Sequence, residues 1–389
     1  MTAPRLEIDL SRIHHNVRTL VGRLDPLGIS VTGVTKATLG SPEVAREMVL
    51  AGVTSIGESR IENIEAMRLA DLRTTMTLIR SPMPSQVERV VASADISLNT
   101  EFDVIDALSA AAGRQHRRHG IVLMVELGDL REGILAEDLS SMVGRTLDLD
   151  HLDLCGIGAN LACQSGIAPD ATNMAVLSSL ADSLEARFAI TLPLISGGNS
   201  ANLRWALSGA DVGRVDDLRL GESILLGRDP LDREPIDGLF TDAITLVAEV
   251  IESNRKPVRP WGEVHQNAFG MTARPDMTAR PELPGEGDAT RAQVIVALGR
   301  QDVDPDGLVV PDGLHVLGAS SDHLVLAAHR DGTPVGTELR FGLDYSAMVR
   351  AMTSPFVTRE FLRATPDAGP SRPAPDLRPG GSRACAPPG

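Results

Sequence analysis

A chain of 389 residues is too long for one average domain and about right for a barrel of roughly 250 residues with a smaller domain beside it. Its 42% apolar and 23% charged residues fit a globular protein with an ample core, and its net charge of −15 argues against nucleic acid or an anionic membrane as the main partner. A small molecule is the expected partner; with no apolar run of bilayer length, and with Glu7 and Asp9 interrupting the first ten residues, the expected location is the cytoplasm.

From Ile29 to about Gly227, short β-branched or apolar runs alternate with amphipathic segments, the pattern of repeated βα units. Eight strands are predicted: Ile29 to Lys36, Thr54 to Glu58, Met76 to Arg80, Ile96 to Asn99, Ile121 to Gly128, Leu154 to Ala162, Pro193 to Gly198 and Asp211 to Val215. Between the first two lies a helical pattern over Ser41 to Ala51, where Ser41 can cap and Pro42 suits the first helical position. Eight such units point to a closed (β/α)8 TIM-type barrel rather than an open sheet, with its active face at the strand C-terminal ends. The barrel is expected over residues 1–228.

After Asp229 the runs Ala243 to Ile251, Gln293 to Leu298, His315 to Gly318, His323 to Ala328 and Glu338 to Leu343, spaced by Gly, Pro and Asp, predict a smaller all-β domain over 229–364. From Thr365 the chain is rich in Pro, Gly, Ser and Ala and is expected to be a disordered tail, 365–389. Cys155, Cys163 and Cys385 are odd in number and lack zinc-ligand spacing, so neither a disulfide framework nor a metal site is expected. Lys36 and Lys256 are the only lysines.

Lys36 ends the run ISVTGVTK, at the mouth of the first strand. Apolar walls there would lower its pKa and favour the neutral amine that attacks an aldehyde; taken alone it also reads as a snorkelling surface lysine. Ser196-Gly197-Gly198-Asn199-Ser200 and Leu218-Arg219-Leu220-Gly221-Glu222 are small-residue junctions after the seventh and eighth strands, where barrels often bind phosphate. Arg131 and Glu132 in VELGDLREG follow the fifth strand, and Arg131 suits a substrate carboxylate.

The lysine at the end of the first strand, together with VELGDLREG, GIGANLAC, SGGNSANL and LRLGESILLG after the later strands, resembles the alanine racemase-like enzymes, and within them the ornithine or broad-specificity amino-acid racemase branch. ALGRQDVDPDGL, LGASSDHLVL and AMTSPF in the second half are similar to that branch, so the resemblance covers about residues 5 to 362. It implies pyridoxal 5'-phosphate (PLP) held as a Schiff base on Lys36. Ser196, Asn199, Ser200, Gly221 and Glu222 would lie on the phosphate side, Arg219 would face the pyridine nitrogen, Arg131 would stand beside the ring hydroxyl and substrate carboxylate, and Asn160 would lie beneath the ring.

Racemisation needs acid–base groups on both faces of the α-carbon. Lys36 is one. In alanine racemases the other is a tyrosine from the partner subunit's β domain, but the matching segment here is Gly299-Arg300-Gln301-Asp302. Tyr345, the sole tyrosine, reads as a core or sheet residue. Asp322 and His323 are the candidates for the second group, with Cys163 a third option, and a homodimer is implied. For an ornithine-like substrate, Asp129, Glu132 or Glu58 would meet the distal ammonium. The alternatives are a PLP-binding protein without turnover and a fold-related decarboxylase.

Overall fold

The structure is a computed structural model in which residues 3–263, 265–266, 269, 289–328 and 333–363 are described. The expected tail 365–389, with Cys385, lies outside them. β1 (Arg5–Asp9) comes first, followed by a helix over Leu10–Leu24 that buries Leu10, Ile13, Val17, Leu20 and Leu24 at helical spacing. Each such side chain contributes roughly 1.5–3 kcal/mol on burial.

β2 (Ser30–Val34), β3 (Ser55–Glu58), β4 (Thr75–Leu78), β5 (Ile96–Asn99), β6 (His119–Val125), β7 (Leu152–Ala159), β8 (Leu194–Asn199) and β9 (Asp217–Leu220) form a closed parallel barrel. The ring closes through β2 and β9, in register from Ser30 with Asp217 to Gly33 with Leu220. Both faces of each strand are covered, so runs such as HGIVLMV in β6 are buried at all seven positions. The helix Pro42–Leu50 starts as its sequence indicates, with the Ser41 hydroxyl accepting from the Val44 N–H at 3.4 Å.

The eighth barrel strand differs from the expectation. Asp211 to Val215 is a turn: Gly213 has φ +58°, its N–H donates to Asp211 Oδ1, and Val215 N–H donates to Val212 O. The strand is instead Asp217–Leu220, whose Asp217 and Arg219 point to a polar barrel interior and so break the apolar run by which strands are recognised. The segment Leu218 to Leu220 is therefore the strand itself, and the junction begins at Gly221.

The remaining strands are β10 (Ile244–Pro257), β11 (Thr290–Val296), β12 (Leu308–Val309), β13 (Leu314–Ala319), β14 (Leu324–Ala328), β15 (Glu338–Leu343) and β16 (Thr358–Leu362). They form a sheet in the order β12-β15-β10-β11-β14-β13. β1 joins it, antiparallel to β10 and parallel to β16, so residues 5–9 pair with the β-rich part rather than with the barrel. The β-rich part is not purely β: Asp344 caps a helix over Tyr345–Thr353, accepting from the Ala347 N–H at 2.8 Å, and this helix packs on the turn Lys36–Thr38. Among the described residues no helix is long and apolar enough to cross a membrane.

Candidate active site

β2 ends at Val34, and Lys36–Thr38 forms a tight turn, with Thr38 and Gly40 N–H groups both donating to Thr35 O. Thr35 is in turn anchored from β3, its hydroxyl donating to Glu58 Oε2 at 2.9 Å. This fixes the backbone from which Lys36 projects. Its side chain is exposed at the barrel mouth rather than walled in by apolar groups, and it makes no hydrogen bond or ion pair among the described residues. Nζ lies 5.9 Å from the centroid of the Tyr345 ring. Lys256 is elsewhere, paired with Glu252 in β10.

Lys36 opens on a cavity of about 800 Å³ lined from the ends of β2, β8 and β9 and from the turns that follow β2, β3, β4, β6, β7, β8 and β9. Of the residues expected at the cofactor, Asn160, Asn199, Ser200, Arg219, Gly221 and Glu222 all line it, and so does Arg131. Asn199 Nδ2 donates to Asn160 Oδ1 at 2.9 Å and to Leu161 O at 2.8 Å, tying the ends of β7 and β8 together. The Ser200 hydroxyl receives the N–H groups of Gly221 and Ser223 at 3.3 and 3.2 Å, so three polar groups converge on one corner. A Cβ at Gly221 would stand 3.2 Å from both Val34 Cβ and Val34 O, so a side chain there would crowd the floor.

Arg219 lies in the floor, buried. Nη1 donates to Ser196 Oγ at 2.5 Å and Nη2 to Ala159 O at 2.7 Å and Asn160 Oδ1 at 3.4 Å, while Nε has no partner among the described residues. On the rim, Arg131 pairs with Glu132, which also accepts from Asn160 Nδ2 at 3.2 Å. Burial pushes the Glu132 carboxyl up, but Arg131 and then Asn160 and Arg219 bring it below the usual carboxylate range.

Two cavity residues, Tyr345 and Arg233, carry more than the sequence indicates, and Cys163, a candidate from sequence, stands with them. Tyr345, expected in a core or sheet, opens its helix and stands half-buried in the wall. Burial, then the nearby Glu222, pushes its phenol up to about 12. Arg233, at φ +66°, reaches back to Glu222, whose carboxyl burial pushes up against the pull of Arg233. Cys163 also lines the wall; loss of solvent around Sγ pushes its thiol up, ahead of the opposing pull of Arg131 and Lys36. Asp344 as a cap was the readable signal for Tyr345. For Arg233 there was none, because a lone arginine in DPLDREP has no neighbouring pattern.

Other expected site residues are placed away from the cavity. Ser196 is buried beneath it, donating to Asp217 Oδ2 and accepting from Arg219, so its hydroxyl is committed inside the barrel. Asp129 accepts from the N–H groups of Cys163, Gln164 and Ser165, and Glu58 from Thr35, Ser59 and Arg60; both are fixed as local clamps. Asp322 and His323 do not line the cavity of their own chain. They form an exposed pair, His323 Nδ1 to Asp322 Oδ1 2.8 Å, in the turn between β13 and β14. That turn is laced to Gly299-Arg300-Gln301-Asp302, with Arg300 N–H donating to Ser320 O and Gln301 N–H to Ser321 O. An added Cβ at Gly299 would fall 2.3 Å from Asp322 N, so the absent side chain lets the two segments close.

A sequence-family profile described as the alanine racemase N-terminal domain matches residues 8–229, which includes every barrel strand. The chain belongs to the alanine racemase family. Within that family it is 35% identical to the ornithine racemase of Acetoanaerobium sticklandii over 92% of this chain and 99% of that protein. It is also 35% identical to the lysine racemase of Thermotoga maritima, over 93% of this chain and 99% of that one. The fold of this family member matches the alanine racemase from Streptomyces coelicolor A3(2) with a TM-score of 0.71 at 19% identity, covering 92% of this chain and 97% of that structure. The barrel with its appended sheet is thus the architecture of the family.

Proposed function

We propose that this chain interconverts the enantiomers of a basic amino acid by proton transfer at the α-carbon, with PLP as its cofactor. The observation that carries the proposal is Lys36: an amine without an ion pair among the described residues, at the end of the first barrel strand, facing the cavity that the phosphate-type junctions and Arg219 also line. Membership of the family supports the cofactor. The substrate class is supported by the two relatives named for ornithine and lysine, both basic amino acids.

The residues fit such a group. A cavity of about 800 Å³ holds a small cofactor with an amino acid beside it. Its lining carries Lys36, Arg80, Arg131, Arg219 and Arg233 against Glu132 and Glu222, an excess of positive charge suited to a phosphate and a carboxylate. Ser200, Gly221 and the Glu222 backbone would hold the phosphate, Arg219 Nε would donate to the ring nitrogen, and Lys36 would carry the aldehyde carbon. When bound, PLP supplies the electron sink that acidifies the α-hydrogen.

Lys36 would take or return the α-proton on one face. Arg131, kept charged by Glu132, orients the carboxylate. Tyr345, with its phenol pushed up to about 12, stays protonated at neutral pH and acts as a donor in the wall rather than as a base. The second acid–base group is the Asp322–His323 pair, delivered from a second copy of the chain. The pair lies against the segment that corresponds to the tyrosine-bearing one of alanine racemases and is solvent-facing in a single chain. The functional unit is accordingly a homodimer.

The test is purified chain loaded with PLP and offered L-ornithine, L-lysine and L-alanine. Loss of optical activity with the two basic substrates well ahead of alanine is expected. Failure of the protein to retain PLP after gel filtration would overturn the reading.

A further inference from the structure

Inside the barrel, below the cavity, a line of polar groups runs from β9 to β3. Arg219 Nη1 donates to Ser196 Oγ at 2.5 Å, Ser196 donates to Asp217 Oδ2, Thr32 Oγ1 donates to Asp217 Oδ1 at 2.7 Å, and Thr32 lies 2.7 Å from Ser55 Oγ. Ser196, Asp217, Arg219 and Thr32 are all buried. The direction of this line is fixed at one end. A guanidinium only donates, so Ser196 spends a lone pair on Arg219 and its single hydrogen on Asp217.

Charge requires the same arrangement. Burial strips solvent from Arg219 and pulls its pKa down, and the charge of Asp217 opposes this most; Asp217 is pushed up by burial and drawn back by Ser196, Thr32 and Arg219. The two do not touch as an ion pair; Ser196 stands between them. A buried cation without such a partner is strongly unfavourable.

We propose that Asp217, acting through Ser196, is the positioning residue for Arg219. It balances the guanidinium and locks its Nη1 edge, leaving the uncommitted Nε–H presented to the ligand. This deepens the PLP reading above and rests on it for the identity of that ligand, but the hold on Arg219 is a property of the chain alone. It also gives Ser196 a role distinct from the phosphate contact expected from sequence.

The experiment compares wild type with Asp217→Asn and Ser196→Ala. In the protein without cofactor, the Arg219 Nε–H resonance is followed by 15N-arginine NMR and assigned by its loss in Arg219→Gln. Both variants are expected to shift or broaden it, because Asn must turn a donor toward Ser196 or Thr32 and Ala removes the link. With PLP bound, both variants are expected to displace the visible band of the cofactor and to convert it to its amine form during turnover about tenfold faster than wild type. An unmoved Arg219 resonance would overturn the proposal, and so would a moved resonance with an unchanged band and conversion rate, which would reduce Asp217 to a fold-stabilising role. A wild-type chain that binds no PLP would defeat the functional reading instead, and the resonance would still decide whether Asp217 holds Arg219.

Discussion

Lys36 Nζ and the Tyr345 ring lie 5.9 Å apart, which joins the end of the first barrel strand to the helix that follows β15. This distance is within reach of a cation–π contact, and it makes the helix part of the cavity wall. The β-rich part of the same chain therefore shapes the site opened by the barrel.

Replacing Lys36 with alanine removes the amine that faces the cavity. The variant is expected to lose both the visible absorbance of bound PLP and all measurable turnover, while Lys256→Ala, altering a lysine paired with Glu252 on the sheet, keeps both. Absorbance spectra of the gel-filtered proteins check this.

Tyr345→Phe separates donor from base. A wall donor would contribute about one hydrogen bond to the cofactor, so on the proposed role the variant should bind PLP roughly 5- to 10-fold more weakly and keep most of its saturated rate. Were the phenol the second acid–base group, the saturated rate would instead fall about 100-fold or more. With its phenol near 12, no loss of activity from its ionisation is expected below pH 10. Cofactor titration and kcat, measured side by side, distinguish the two.

A shared site predicts complementation. Lys36→Ala and an Asp322→Ala/His323→Ala double variant should each be inactive. Unfolded together and refolded as a mixture, they should recover about a quarter of wild-type activity, because half the dimers are mixed and each mixed dimer keeps one intact site. Absence of any recovery would place the second acid–base group elsewhere.

His119 gives the fold a pH dependence of its own. Buried in β6 beside Ser97, it is pushed down to about 4 by burial. The unfolded chain then binds a proton between about 6.5 and 4 that the folded chain does not, so stability falls as pH drops through that window. The shift corresponds to about 3 kcal/mol. Denaturant midpoints at pH 7 and pH 4.5 should differ in wild type, and the difference should shrink in His119→Gln.

Much of the barrel was legible because parallel strands buried on both faces read as apolar runs; the run His119 to Val125 is one such case. The eighth strand was hidden because Asp217 and Arg219 point into the barrel interior, and a polar floor replaces the apolar signal. β1 was missed because RLEID pairs with strands more than 230 residues away, a partnership no local pattern records. Of the cavity lining, Lys36, Asn160, Asn199, Ser200, Arg219 and Gly221 could be read because each sits at a strand end or a small-residue junction. For Tyr345 only the helix start after the cap Asp344 could be read; its place beside Lys36 could not, since what brings it there is the packing of a helix distant in sequence.

The most direct test of the central claim is chiral chromatography of the PLP-loaded protein given pure L-ornithine and, separately, pure D-ornithine. The account predicts that both reactions converge on equal amounts of the two enantiomers, and that Lys36→Ala leaves each unchanged. Release of carbon dioxide without the opposite enantiomer, or two samples that both remain optically pure with lysine and alanine as well, would contradict it.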